Sequence, residues 1–118
     1  MNGSMRYHAG LAAEEIAGRS YAGRGMPIAR KRWRGVSGEI DLIARRGDAV
    51  VFVEVKKSRS FATAAQRVSR RQMQRIYGAA SEFLAGEPNG QDTDVRFDVA
   101  LVNDVGEVQI IENAFGHI

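Results

Sequence analysis

The sequence has 118 residues, 44% of them hydrophobic, and carries a formal net charge of +3. This length predicts a single domain over residues 1–118, and the absence of cysteine excludes disulfides and zinc–thiolate sites. No apolar stretch reaches the roughly 20 residues that a membrane-spanning helix needs, and the N-terminus lacks the apolar core of a signal peptide, so we expect a cytoplasmic protein without membrane association.

The predicted elements follow the order α-β-β-β-α-β-β, which is typical of an α/β protein with a small mixed sheet and flanking helices. The first helix carries an apolar stripe at helical spacing, and the strands are short runs rich in β-branched residues. The predicted bounds, in chain order, are helix 8–21, strand 27–33, a strand from residue 38 that ends in a turn at 46–48, strand 50–56, helix 61–85, and strands 95–102 and 107–111.

The third predicted strand places charged residues in a sequence that is otherwise typical of a buried strand. It lies in the stretch VVFVEVKK, from Val50 to Lys57. Because side chains alternate along a strand, Glu54 and Lys56 project from the same face, roughly 7 Å apart. Burying an unpaired charge costs several kcal/mol, so these charges need a partner or a function. One interpretation is a salt bridge on an exposed sheet face, and the other is a catalytic site.

The preceding strand supplies a second carboxylate. Alternation predicts one face formed by Ile40, Leu42 and Ala44, and an opposite face formed by Glu39, Asp41 and Ile43. If the two strands pair as a hairpin, Asp41 lies near Glu54. Carboxylates, together with water and substrate phosphate, are the ligands that Mg²⁺ or Mn²⁺ takes in such sites. A nearby lysine such as Lys56 can position the attacking water or stabilise the transition state of phosphodiester hydrolysis.

The long predicted helix has an apolar side and a basic side. Its inner stripe is formed by Val68, Met73, Ile76, Ala80, Phe83 and Leu84, and Gln72 falls on this stripe. Its polar face carries Arg67, Arg71 and Arg75 at intervals of four residues, with Arg70 beside them. Residues 1–81 contain 16 basic and 6 acidic residues, whereas residues 82–118 contain one basic and 8 acidic residues. A basic face suggests a phosphate-backbone partner, and the alternative is a solvated surface of uneven charge.

Two motifs resemble a nuclease signature. GEIDLIA, at 38–44, followed by VFVEVK, at 51–56, resembles the PD-(D/E)xK motif of restriction-endonuclease-like proteins. Together with GLAAEEIA at 10–17, the basic helix, RFDVALV at 96–102 and NAF at 113–115, they resemble the YraN-like family, small bacterial proteins of that superfamily, over nearly the whole chain. The pattern is more distantly similar to archaeal Holliday junction resolvases.

The resemblance implies a restriction-endonuclease-like fold and assigns roles to matching residues. It implies that Asp41 and Glu54 bind Mg²⁺ or Mn²⁺ and that Lys56 is the catalytic lysine. Glu14 matches a first-helix glutamate that completes the acidic cluster in related nucleases, although a glutamate favoured by the helix dipole is an equal alternative. Glu39 matches the glutamate of the family's GEIDLI motif, whose role is less clear.

The sequence departs from the family pattern at two positions near the motif. Ser58 stands where the family commonly has an arginine two positions after the motif lysine, and Arg59 follows it. Gln72 stands where the second helix usually carries a lysine. These departures leave the acidic residues in place, but they bear on activity and on substrate positioning.

We therefore expect a metal-dependent nuclease that acts on DNA or RNA, with DNA favoured by the resemblance. Phosphate contacts give little sequence information, so recognition is expected to be nonspecific or selective for junctions, flaps or ends. The candidate nucleic-acid-binding residues are Arg30, Lys31, Arg32, Arg34, Lys57, Arg59, Arg67, Arg70, Arg71 and Arg75.

Two alternatives to a nuclease remain open, and so does the oligomeric state. The first alternative is a nucleic-acid-binding module of the same fold that has lost cleavage, and Ser58 and Gln72 point that way. The second is a protein-interaction domain that uses the acidic C-terminal segment. Junction resolvases work as dimers, which leaves a homodimer open. Trp33 could stack on a base, but a strand tryptophan is more often part of the core.

Overall fold

The computed structural model describes residues 3–62 and 68–115, with side chains described from residue 11 onward. Two helices, α1 (Gly3–Gly23) and α2 (Arg70–Leu84), pack on opposite faces of one sheet. The strands are β1 (Ile28–Arg34), β2 (Glu39–Arg46), β3 (Ala49–Lys57), β4 (Val95–Val102) and β5 (Val108–Ile111), and a short 3₁₀ turn spans Gly90–Asp92. No helix in this described part of the chain is both long and apolar enough to cross a membrane.

The sheet is mixed, as the sequence predicted. Its strands lie in the order β1-β2-β3-β4-β5, so β1 and β5 form its edges. β3 and β4 pair in parallel, and the other three pairings are antiparallel. The order α-β-β-β-α-β-β is confirmed, and this arrangement is consistent with a restriction-endonuclease-like fold.

β3 divides its side chains between the two halves of the core. Val50 and Phe52 pack with the α2 side, whereas Val51 and Val53 pack with the α1 side. All four are at most 1% exposed, so this strand is covered on both faces. The predicted alternation along β3 is therefore confirmed, and it directs the side chain of Glu54 towards α2.

The predicted alternation along β2 is wrong at Ile40. Leu42 and Ala44 pack on the α1 side as one face, but Ile40 packs on the α2 side with Ile43. The break falls at Asp41, where the paired residues of β2 and β3 end at Leu42 and Val53. Beyond that point the side chain of Asp41 accepts the N–H of Val55 in β3, and the faces of β2 exchange sides.

The predicted helix 61–85 is too long at its N-terminal end. Helix α2 begins at Arg70, because Ser69 has an extended backbone and its hydroxyl accepts a hydrogen bond from the N–H of Gln72. Phe61 and Ala62 are helical, but Val68 is not. Arg67, which was predicted to continue the basic face, lies outside the described residues.

The side chain of Asp98, on the α1 side of β4, forms hydrogen bonds with α1, with β4 and with the segment after β5. Its carboxylate is fully buried and accepts hydrogen bonds from the hydroxyl of Tyr21 at 2.8 Å and from the backbone N–H of Asn113 at 3.0 Å. The guanidinium of Arg96 binds it through two nitrogens, at 2.9 and 2.8 Å. A buried charge with this many donors is compensated, so the RFD and NAF segments act together in the core.

Candidate active site

Asp41 and Glu54 meet where the ladder between β2 and β3 opens. Beyond the pair Leu42–Val53, the carboxylate Oδ2 of Asp41 accepts the backbone N–H of Val55 at 2.8 Å. This bond fixes the Asp41 side chain between the two strands. The prediction that the hairpin brings Asp41 close to Glu54 is confirmed, since Asp41 binds the residue next to Glu54 and the negative charge of Asp41 contributes to raising the pKa of Glu54.

Glu54 is held by two further donors on one of its oxygens. Its Oε1 accepts a hydrogen bond from Nε2 of Gln72 at 2.9 Å and lies 3.2 Å from Nζ of Lys56. The Lys56–Glu54 salt bridge therefore exists, but it is not on an exposed sheet face, because the two side chains are 20% and 7% exposed.

Burial is the main electrostatic influence on this pair. Burial, followed by the negative charge of Asp41, raises the pKa of Glu54 to about 8. Burial also raises the pKa of Asp41, although the N–H of Val55 acts in the opposite direction. Two adjacent buried carboxyl groups favour sharing one proton, and that proton belongs to the pair and not to either residue alone. A cation bound beside the pair would lower the pKa of both groups and favour their ionised forms.

Glu14 approaches the carboxylate pair from α1 but is held by an arginine. The Nε of Arg32 binds Oε2 of Glu14 at 2.8 Å, and the Glu14 side chain is 15% exposed. Burial raises the pKa of Glu14, the bond from Arg32 lowers it, and the charge of Asp41 raises it. Arg32 has a backbone φ of 51°, in the left-handed region that an arginine rarely adopts, so β1 is strained at the residue that reaches Glu14.

Glu39 lies at the start of β2, further from the pair. It forms an exposed ion pair with Arg34 at 3.1 Å, and its charge contributes to raising the pKa of both Asp41 and Glu14. Among the residues with described side chains, no group of three or more His, Cys, Asp or Glu is arranged to hold a metal ion. The metal-ligand roles of Asp41, Glu54 and Glu14 thus stay predictions.

The candidate phosphate-binding residues occupy three segments. Arg30, Lys31 and Arg34 are exposed on β1, Arg59 is exposed just beyond β3, and Arg70, Arg71 and Arg75 are exposed on the first half of α2. Lys57 and Arg32 are half-buried, and Ser58 follows Lys57. The first turn of α2 lies against Glu54 through Gln72, so these arginines stand on the helix that contacts the carboxylate pair. Trp33 instead packs edge-on against Phe83, with ring centroids 5.5 Å apart.

Sequence reasoning missed two parts of this site, and only one of them had a signal in the residue pattern. The N–H of Val55 is a backbone group, so no residue type identifies it as the partner of Asp41. The start of α2 did have a signal, since Ser69-Arg70-Arg71-Gln72 matches the pattern S-x-x-Q of a helix N-terminus. That pattern would have placed Gln72 in the first turn, where its side chain reaches Glu54.

Comparison with known proteins identifies relatives over the whole fold. The sequence pattern of a family described as "Uncharacterised protein family UPF0102" matches residues 13–102. A UPF0102 protein of Cereibacter sphaeroides (strain ATCC 17029 / ATH 2.4.9) is 67% identical over 98% of this chain and 98% of its own length. UPF0102 proteins of Ruegeria pomeroyi and Dinoroseobacter shibae are 59% and 42% identical, over 98% and 94% of this chain and 94% and 83% of their own lengths. The chain therefore belongs to the uncharacterised protein family UPF0102.

Proposed function

We propose that this protein is a metal-dependent nuclease of the PD-(D/E)xK superfamily that hydrolyses phosphodiester bonds in nucleic acid, with DNA favoured over RNA. The observation that carries the proposal is the buried pair Asp41 and Glu54, with Lys56 at 3.2 Å from Glu54. A structural role alone does not account for two adjacent carboxyl groups whose burial favours a shared proton. A cysteine-free chain also suits the reducing cytoplasm, which is the location we propose.

The residues present fit a hard divalent cation. Carboxylate oxygens are the ligands that Mg²⁺ and Mn²⁺ prefer, and one or two protein carboxylates suffice when water and substrate phosphates complete the shell. Asp41 is fixed by the N–H of Val55, and Glu54 is fixed by Gln72, so both ligand groups are preorganised. When bound, the metal would stabilise negative charge on the phosphate and make the attacking water more acidic.

Lys56 and Gln72 would have different roles beside the metal ligands. Lys56 Nζ lies beside Glu54, and its side chain is one-fifth exposed, so it can reach a water or a phosphate oxygen at the surface of the site. There it would orient the attacking water or stabilise charge on the phosphate in the transition state. Gln72 is a neutral donor, so it orients Glu54 without adding a charge.

The exposed arginines beside the site would bind the phosphate backbone. Arg70, Arg71 and Arg75 stand on the helix whose first turn contacts Glu54, and Arg34 stands on the neighbouring hairpin. Contacts of this kind supply affinity that falls as salt rises, and they position the strand without reading its sequence.

A second candidate is a nucleic-acid-binding module of the same fold that does not cleave. The specific observation in its favour is the ion pair between Arg32 and Glu14, which occupies the third acidic residue. With Glu14 engaged, two of the three carboxyl groups remain for a cation. Gln72 is neutral, so the positive charge that a lysine would bring at this position is missing.

The test combines metal binding with cleavage. Isothermal calorimetry with Mg²⁺ and with Mn²⁺ should show binding to the wild type and its loss in Asp41→Asn and Glu54→Gln. Asp48→Asn is the matched control, because Asp48 is an exposed carboxylate beyond the opposite end of β2. Cleavage of branched and linear DNA and RNA should require the metal and should be lost in Lys56→Ala. Nucleic-acid binding without metal binding or cleavage would refute the nuclease and select the binding module.

A further inference from the structure

The turn between β1 and β2, residues 35–38, presents an apolar side chain to solvent. Val36 is 99% exposed, which is the highest value among the large hydrophobic residues that the structure describes. Isolated exposed apolar residues are common on protein surfaces and need no explanation by themselves. This one differs because the turn that carries it is fixed on the adjacent helix.

Glu82 of α2 holds the backbone of the turn. Its Oε1 accepts the N–H of Val36 at 2.8 Å, and its Oε2 accepts the N–H of Ser37 at 3.1 Å. These two bonds lower the pKa of Glu82, as expected when backbone donors favour the ionised carboxylate. The turn is also closed by a bond from Gly35 N–H to the carbonyl of Gly38 at 2.9 Å. The backbone that carries Val36 is thus fixed by three hydrogen bonds.

Two close approaches complete the contact with α2. A Cβ added to Gly78 would lie 2.7 Å from the side chain of Ser37, and one added to Gly38 would lie 3.3 Å from Cβ of Arg75. Glycine at these positions lets the turn lie directly on the helix. The turn therefore has little room to shift along α2 or away from it.

The rise of α2 gives the distance from the turn to the carboxylate pair. Gln72, which contacts Glu54, and Gly78, which contacts Ser37, are six residues apart, or about 9 Å along the axis. Counted along the chain from Gly38, three residues to Asp41 give about 10 Å in extended strand. Both routes place the near side of the turn, at Ser37 and Gly38, about 10 Å from the pair, which corresponds to about three base pairs of a duplex. Val36 lies beyond this point in the turn.

The surroundings of Val36 indicate which apolar surface it meets. Arg34 lies two residues before it with a side chain 79% exposed, and the exposed Arg75 borders the turn at Gly38. Arg34 shares a weak, exposed ion pair with Glu39 at 3.1 Å, and the carboxylate of Glu82 is engaged by the backbone of the turn. Phosphates can therefore compete for the guanidinium groups, and an apolar tip beside them suits a partner that is apolar at one face and anionic around it. The open face of a terminal base pair, flanked by phosphates, has this chemistry, and proteins use apolar side chains against base steps in this way.

We propose that Val36 packs on the open face of the last base pair at a duplex end or branch, roughly three or more nucleotides from the carboxylate pair. This rests on the proposed function and narrows its substrate to nucleic acid with an exposed base-pair face. The turn then selects structure and not sequence, because every base pair presents a similar apolar face.

The test compares two DNA molecules of the same duplex sequence in the absence of metal. One is a forked duplex, and the other is a dumbbell whose ends are closed by loops. The wild type should bind the fork about fivefold more tightly, as expected for burying part of a valine side chain. Val36→Ser should reduce this preference to below about twofold and leave the affinity for the dumbbell unchanged. Val105→Ser is the matched control, since Val105 is 79% exposed in the turn between β4 and β5.

The outcomes separate this proposal from the nuclease itself. If Val36→Ser retains the preference, or loses affinity for both molecules equally, the proposed role of Val36 is refuted even where the wild type cleaves DNA. If Val36→Ser loses the preference but the wild type cleaves nothing with Mg²⁺ or Mn²⁺, the role of Val36 stands and the nuclease fails. If neither DNA molecule is bound, the proposed role of Val36 is refuted, whereas the nuclease is decided separately by the cleavage assay on DNA and RNA with metal.

Discussion

Replacing Glu54 by glutamine should stabilise the metal-free protein, by an amount that grows with pH. The pKa of Glu54 rises from 4.5 to about 8 on folding, chiefly because the group is buried. Between these values the folded state holds a proton that the unfolded state has lost, so the wild type loses stability as pH rises. At about 1.4 kcal/mol per pH unit, the loss by pH 7 is on the order of 3 kcal/mol.

Glutamine has the shape of the protonated glutamate and does not titrate. Its amide N–H can donate to Asp41, while its oxygen still accepts from Gln72 and Lys56. Urea unfolding of both proteins with a chelator present should therefore show nearly equal stability at pH 4.5 and a clear advantage for Glu54→Gln at pH 8. Glu39→Gln, an exposed carboxylate on β2, should change stability by less than about 0.5 kcal/mol at either pH. A difference that does not depend on pH would refute the shared proton.

Three further variants test other parts of the structure. Asp98→Ala should cost more than about 3 kcal/mol in urea unfolding, because the partly buried guanidinium of Arg96 loses both bonds to Asp98 and the buried hydroxyl of Tyr21 loses its acceptor, and near-wild-type stability would contradict the network. Gly78→Ala should lower stability by about 1–3 kcal/mol because the added Cβ meets Ser37, and Ser37→Gly in the same chain should restore it. Arg75→Ala should weaken DNA binding and reduce the salt dependence of log K by about one unit, whereas the exposed Arg19→Ala on α1 should not, as measured by fluorescence anisotropy across a salt series.

The regular part of the site could be predicted because it depends on side-chain alternation. β3 alternates without interruption, so the shared face of Glu54 and Lys56 follows from counting residues. The pairing of the two central strands as a hairpin then brings Asp41 to Glu54. Each of these steps uses a pattern that residue types alone reveal.

The irregular part could not be predicted because side chains there replace backbone bonds. Asp41 takes the N–H of Val55, and beyond this point Ile40 lies on the other face of β2. Arg32 adopts a left-handed backbone that its residue type disfavours. The start of α2 was predicted too early for a different reason. Arginines spaced by four residues continue a helical pattern on the N-terminal side of the capping residue Ser69.

The basic residues of β1 have a consequence for how the protein behaves at high concentration. β1 is an edge of the sheet and offers unpaired backbone groups to any extended chain that approaches. Arg30, Lys31 and Arg34 are exposed along this edge, and like charges repel the same edge of a second molecule. We therefore expect neutralising all three at once to promote edge-to-edge aggregation, so that light scattering would rise as DNA affinity falls. Phosphate contacts on this strand are best tested by single substitutions, each of which leaves two charges to keep the edge apart.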